Sequence, residues 1–286
     1  MQKPHYFWSF IWVIVLVSPL SACTQPTTNI SDGRFTYLLS QPTQRWKLDK
    51  KLEEISGLTY VNERQLAAVD DEKGSVFLFD TQEGEIIEEV KFGKNGDYEG
   101  IELVDDVYYV LRSDGDLFEI QSLLSSPEVE KYETGLSREN DAEGLGQDAN
   151  GRWLLVACKN GGKLKGVEDS KSVMVYRYRT KNDKLTPFLY QTPALFQKHL
   201  KGEKKFRVSA IAQHPITQHY YLLASATRSL VILNQKNEVI ALAYLNRSIF
   251  AQPEGICFAP DGTLYISNEA RSGKATILQF AVNSVQ

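Results

Sequence analysis

One short motif, repeated five times, constrains this chain more than any other feature. The copies read Ile55-Ser56-Gly57-Leu58, Tyr98-Glu99-Gly100-Ile101, Ala142-Glu143-Gly144-Leu145, Val208-Ser209-Ala210-Ile211 and Pro253-Glu254-Gly255-Ile256. Counted at the Ser or Glu, the steps are 43, 44, 66 and 45 residues. A period of about 40–45 residues, each holding several short strands, is the length of one four-stranded propeller blade. Closing such blades into a ring brings one residue of every copy to a common axis. Three of those residues are Glu99, Glu143 and Glu254.

The segments between the motifs support an all-β chain. They are short runs rich in Val, Ile, Leu, Tyr and Phe, separated by turn residues. The first repeat predicts strands over 57–61, 65–70, 75–80 and 86–92, and the second over 101–104, 107–112, 116–120 and 130–132. The third predicts 145–147, 153–157, 172–178 and 185–190, with a loop over 159–171 and a short helix over 192–201. Those two insertions account for the long step. The last repeat supplies only three strands, 256–258, 264–267 and 277–281. A three-stranded blade leaves an open edge, so residues 44–48 are expected to complete it. The expected fold is a five-bladed β-propeller of four-stranded antiparallel blades over residues 34–286, its ring closed by an N-terminal strand.

The start of the chain reads as a targeting segment. Lys3 precedes an apolar run from Tyr6 to Val17, and Leu20-Ser21-Ala22-Cys23 resembles a bacterial lipobox. Residues 1–22 are thus expected to be a lipoprotein signal peptide, with Cys23 lipidated and residues 23–33 a polar tether. This places the protein in the bacterial cell envelope. Thr24 follows the cysteine, which favours the outer membrane facing the periplasm over the inner membrane. The formal net charge is -4, and no basic patch or basic helix suggests a nucleic-acid partner. Cys158 and Cys257 fall in blades that are not neighbours, and they are expected to be buried free thiols.

The motif position also carries the candidate chemistry. Residues just before an innermost strand lie on the rim of the central opening, so Glu99, Glu143 and Glu254 are expected to converge, with Ser56 and Ser209 completing the ring. Glu54, Asp97 and Asp141 stand two residues earlier, which on extended backbone gives them the same facing direction. The ends of the second strands add Asp71, Arg112, Lys159, Arg228 and Glu269. Crowded carboxylates repel and raise one another's pKa unless a cation sits among them. A hard divalent ion relieves that repulsion. Oxygen donors without His or Cys point to calcium or magnesium rather than zinc, and calcium is favoured. The alternative is that each Glu accepts backbone N–H groups of the next blade and only fixes the ring. Arg112, Lys159 and Arg228 either pair with the acids or hold an anionic ligand. No nucleophile elbow, P-loop or dinucleotide-binding glycine pattern occurs.

The motifs in this order, Glu-x-Ser-Gly-Leu, Asp-x-Glu-Gly-Ile, Asp-x-Glu-Gly-Leu, a Ser-Ala version and Gln-Pro-Glu-Gly-Ile, resemble the SdiA-regulated family across about residues 46–280. The resemblance implies a five-bladed propeller distantly related to NHL-repeat proteins, with a bound calcium ion and no established enzymatic activity. It carries a metal role to Glu99, Glu143 and Glu254, with Glu54 as a further candidate. The chain departs from the pattern at Ala210, where Gly is usual, and a positive φ there would be awkward for Ala. The functional expectation is a lipid-anchored propeller that binds calcium at its axis and presents a rim to an envelope protein or small ligand. The alternative is a calcium-dependent hydrolase of lactonase or phosphoesterase type.

Overall fold

The computed structural model describes residues 1, 30–31, 37–123, 126–168, 173–190 and 206–282. The signal peptide, Cys23 and the helix expected over 192–201 lie outside the described residues. Two strands, β1 (Ile30–Ser31) and β2 (Gln44–Lys47), precede the first motif. Blade one follows as β3 (Ile55–Asn62), β4 (Gln65–Asp70), β5 (Ser75–Asp80) and β6 (Glu85–Lys91). Blade two comprises β7 (Tyr98–Val104), β8 (Val107–Arg112), β9 (Asp116–Ile120) and β10 (Val129–Glu133). Blade three comprises β11 (Ala142–Gln147), β12 (Leu154–Cys158), β13 (Val173–Arg179) and β14 (Lys184–Tyr190). Blade four is β15 (Ala210–Gln213), β16 (Tyr220–Ala224), β17 (Ser229–Leu233) and β18 (Val239–Tyr244). The last blade contributes β19 (Pro253–Phe258), β20 (Leu264–Asn268) and β21 (Thr276–Phe280).

Each blade is an antiparallel sheet in chain order from the axis outward, and β2 joins the last one as its outer strand. The register of that closing pair sets Trp46 opposite Ile277. The indole then packs on Phe79 of blade one and Tyr265 of blade five, at centroid distances of 5.9 and 6.5 Å. The closing strand therefore seals one blade and cements the seam to the next. On blade four, Ile30 and Ser31 pair with Leu242 and Ala241 as a fifth, outermost strand, inside the segment expected to be a tether.

The apolar interior forms five clusters, each between two neighbouring blades. This is the packing that strands buried on both faces require, and it explains why central strands such as Ser75–Asp80 are buried throughout. Cys158 and Cys257 are buried free thiols within these clusters, as expected.

The inner strands of adjacent blades run so close that the motif glycine has little room. A Cβ on Gly57 would stand 2.7 Å from the Ile101 nitrogen, and one on Gly100 would stand 2.7 Å from the Leu145 nitrogen. One on Gly144 would meet the Ala210 Cα at 2.8 Å. None of these glycines has a positive φ, and neither does Ala210. Glycine is thus required here by the approach of two backbones. The concern about Ala210 rested on a conformation that the motif does not adopt.

Candidate functional site

The motif residue reaches the axis because it is the extra residue of a β-bulge. In blade two, Tyr98 pairs with Arg112 and Gly100 with Leu111, so Glu99 has no partner on β8. The same register shift isolates Ser56 on β3, Glu143 on β11 and the Glu254-Gly255 pair on β19. A bulge bends the strand and re-aims the unpaired side chain. Backbone bonds then knit the rim between blades: Tyr98 donates to the Asp71 carbonyl at 2.7 Å, Ala142 to Ser113 at 2.9 Å and Ala270 to Glu53 at 2.8 Å.

These constraints bring the expected acids into one cup. Burial pushes the Glu99 carboxyl well above the usual range, and the charges of Glu143 and Asp97 push it further while Lys159 opposes them. Glu143 is 4% exposed, and its pKa is also raised by burial, against the ammonium of Lys159. Glu254 is held up at about 7 by burial, with a hydrogen bond from Ser225 and the charge of Lys159 opposing. Burial and the repulsion of Glu54 and Asp70 hold Asp71 at about 7. Glu269 is raised by burial and by Glu54.

Of the three cations at the ends of second strands, one joins this cup. The Lys159 Nζ lies 2.7 Å from Glu143 Oε1, and its own pKa is raised by Glu143, Glu254 and Glu99 against the cost of burial. Arg112 instead pairs with Asp114 and Asp116 and lies over the Phe118 ring. Arg228 donates to the Ala251 carbonyl at 3.3 Å and lies within the field of Arg247 and Arg271. Asp97 accepts from the Ser113 hydroxyl, and Asp141 from Asn160. The premise of extended backbone fails at Asp141, whose φ is 54°. Of the smaller ring members, Ser209 bridges two blades: its Oγ lies 3.4 Å from both the Leu223 and Pro253 carbonyls.

The donor chemistry of the cup suits a hard divalent cation. Its oxygens are carboxylate, and Asp71 Oδ1 is buried without a hydrogen-bond partner. The donor placement does not suit one as it stands. Among the described residues no three acidic, His or Cys side chains stand together closely enough to hold a metal ion. The ammonium of Lys159 is the counter-charge that the structure supplies.

The model of one protein family, SdiA-regulated, matches residues 38–271. The chain belongs to the SdiA-regulated family. No curated protein matches it. Among solved structures, a glutaminyl cyclase from Myxococcus xanthus is similar at 12% identity and TM-score 0.60, over 86% of this chain and 97% of that one. The PQQ-bound aldose sugar dehydrogenase of Streptomyces coelicolor is similar at 11% identity and TM-score 0.56, over 85% and 98%. A Bacteroides thetaiotaomicron protein of unknown function is similar at 11% identity and TM-score 0.53, over 86% and 74%. At such identities the likeness is one of propeller fold alone. The family match spans all five motif copies.

A feature that the motif count misses lies deeper in the channel. Three residues after each motif position, the inner strands carry Thr59, Glu102, Gly146, Ala212 and Cys257. Glu102 is a carboxylic acid in this second ring. Reading the repeats at that offset would have found it.

Proposed function

We propose that this chain is a lipid-anchored protein of the bacterial cell envelope whose axial cup takes up a divalent cation, calcium being the expected ion. Its rim would then engage an envelope protein or a small ligand. One observation carries the reading: buried Glu143 holds the Lys159 ammonium at 2.7 Å, and Asp71 Oδ1 is buried without a hydrogen-bond partner, where burial and mutual repulsion raise the carboxyl pKa values of Glu99, Glu143, Glu254 and Glu269. A bound divalent ion would relieve that repulsion. Cation uptake requires Lys159 to release Glu143, so the cup has a built-in competitor.

Titrating calcium into the full chain by calorimetry is expected to give a saturable heat and a higher melting temperature. Glu99→Gln, Glu143→Gln and Glu254→Gln are each expected to weaken binding about tenfold or more, since each removes one charged donor. Absence of any heat, with an unchanged melting temperature, would sink the cation reading. A hydrolase would instead reveal itself as calcium-dependent turnover of lactones, aryl esters or phosphoesters in the same preparation.

The anchor is tested separately. Cys23→Ser is expected to move the protein from the membrane fraction to the soluble one, because it removes the site of lipid attachment. Retention of the variant in membranes would refute the lipoprotein assignment.

A further inference from the structure

The second ring opens into a cavity of about 270 Å³. It lies at the end of the channel opposite the acidic cup, because Thr59, Glu102 and Phe258 sit further along the inner strands than Ser56, Glu99 and Glu254. Half-buried Glu102 is one of the acids on its wall. Its Oε1 accepts from the Thr59 hydroxyl at 2.8 Å, the Leu103 N–H at 3.0 Å and the Gln147 amide at 3.4 Å. All three donors are neutral. Among the described residues no Lys or Arg lines the cavity, and Asp148 adds a second carboxylate to its wall. Burial holds Glu102 at about 7 against those three hydrogen bonds. The remaining lining is mostly apolar or aromatic, with Tyr60 and Phe258 as the large side chains, Phe258 also packing on His214 and Tyr221.

A half-buried carboxylate on a cavity wall, hydrogen-bonded only by neutral donors, favours a ligand that brings a positive charge to it. We propose that this cavity binds a small organic ammonium, its amine on Glu102 and its apolar part against Tyr60 and Phe258. Aromatic faces beside a carboxylate suit such a ligand, because both attract a cation and one also buries hydrocarbon. The volume is below the roughly 300–1,000 Å³ of drug-sized pockets, which favours an amine of amino-acid size over a nucleotide. This site shares no residue with the acidic cup, so it stands or falls independently of calcium.

The test uses phenethylamine as the cationic probe, with 2-phenylethanol and phenylacetate as neutral and anionic counterparts. Each is titrated into the full chain by calorimetry in EDTA, which keeps divalent ions out of the cup. Phenethylamine is expected to bind at least about tenfold more tightly than the other two, and Glu102→Gln to weaken it about tenfold. Glu99→Gln, in the acidic cup, is expected to leave its affinity unchanged. Tyr60→Ala, at a partly exposed position, is expected to weaken phenethylamine several-fold and keeps the test open should Glu102→Gln not fold. No heat from phenethylamine up to about 10 mM overturns the proposal. So does an affinity that Glu102→Gln or Tyr60→Ala leaves unchanged, or one that is lost in Glu99→Gln instead.

Discussion

Replacing Lys159 with Met is expected to cost about 3 kcal/mol of stability at pH 8, by analogy with other buried pairs that lose one partner. The aliphatic stem is nearly conserved, so the loss isolates the charge. Its ammonium lies 2.7 Å from Glu143, which is 4% exposed, and its field also reaches Glu99 and Glu254. Without it, three crowded carboxyls keep their repulsion and lose their counter-charge. For a chain of this size the melting temperature should fall by roughly 6–10 °C. The sign of the pH dependence follows from the raised pKa values. A carboxyl whose folded pKa lies above its unfolded one contributes stability below the unfolded value, and that contribution is lost as pH rises through the folded value. For Glu254 the window runs from 4.5 to about 7, and Glu99 and Glu143 extend it upward.

The deficit of Lys159→Met should therefore shrink as pH falls and Glu143 takes up a proton. His214 acts in the opposite sense, because burial lowers it from 6.5 to about 4. The decisive comparison is thus made at pH 7 and above. Adding Glu143→Gln to Lys159→Met should recover part of the loss. Calcium should stabilise Lys159→Met more than the wild type, since no tethered ammonium competes. Identical denaturant curves for the variant and the wild type at pH 8 would show that Lys159 is a solvated surface charge.

The repeat spacing revealed blade number, strand order and ring closure, because each depends on apolar periodicity and turn chemistry that the chain displays locally. Strands 65–70, 75–80, 107–112 and 116–120 occur with the expected bounds. The inner strands do not. They begin at Ile55, Tyr98, Ala142 and Pro253, two or three residues before the expected positions. An acid followed by Gly reads as a turn, whereas here the pair is a bulge inside a strand, and the neighbouring blade that demands the Gly is 43 or more residues away in sequence. The cup was legible as a set of acids but not as a set of partners. Arg112 ends β8, Lys159 follows β12 and Arg228 stands in the turn between β16 and β17, and sequence alone treats them alike. The run Arg112-Ser113-Asp114-Gly115-Asp116 contained the distinguishing signal, since Asp114 and Asp116 hold the Arg112 guanidinium on its own blade. Lys159 has no acid at that local spacing and turns to the axis.

Gly100→Ala should be strongly destabilising for a single-methyl change, with an expected cost of about 3 kcal/mol or more. The added Cβ would lie 2.7 Å from the Leu145 nitrogen and 2.7 Å from its Cβ, so relief requires two inner strands to separate rather than a side chain to rotate. Gly57→Ala and Gly144→Ala meet backbone atoms at 2.7 and 2.8 Å and should behave alike. Gly273→Ala is the matched control: its Cβ meets nothing within 4 Å, and its φ is not positive. It should lie within about 0.5 kcal/mol of wild type. Ala210→Gly tests the same seam from the other side. The fourth blade already accommodates a methyl, so removing it should cost only about 0.5–1 kcal/mol, through backbone entropy. If Gly100→Ala unfolded at the wild-type denaturant concentration, close approach would not be the reason for Gly. The functional consequence follows from adjacency. Glu99 is the bulged residue immediately before Gly100, so strands forced apart at Gly100 also re-aim the carboxylate. Any folded Gly100→Ala protein is therefore expected to lose calcium heat together with stability, whereas Gly273→Ala should keep both.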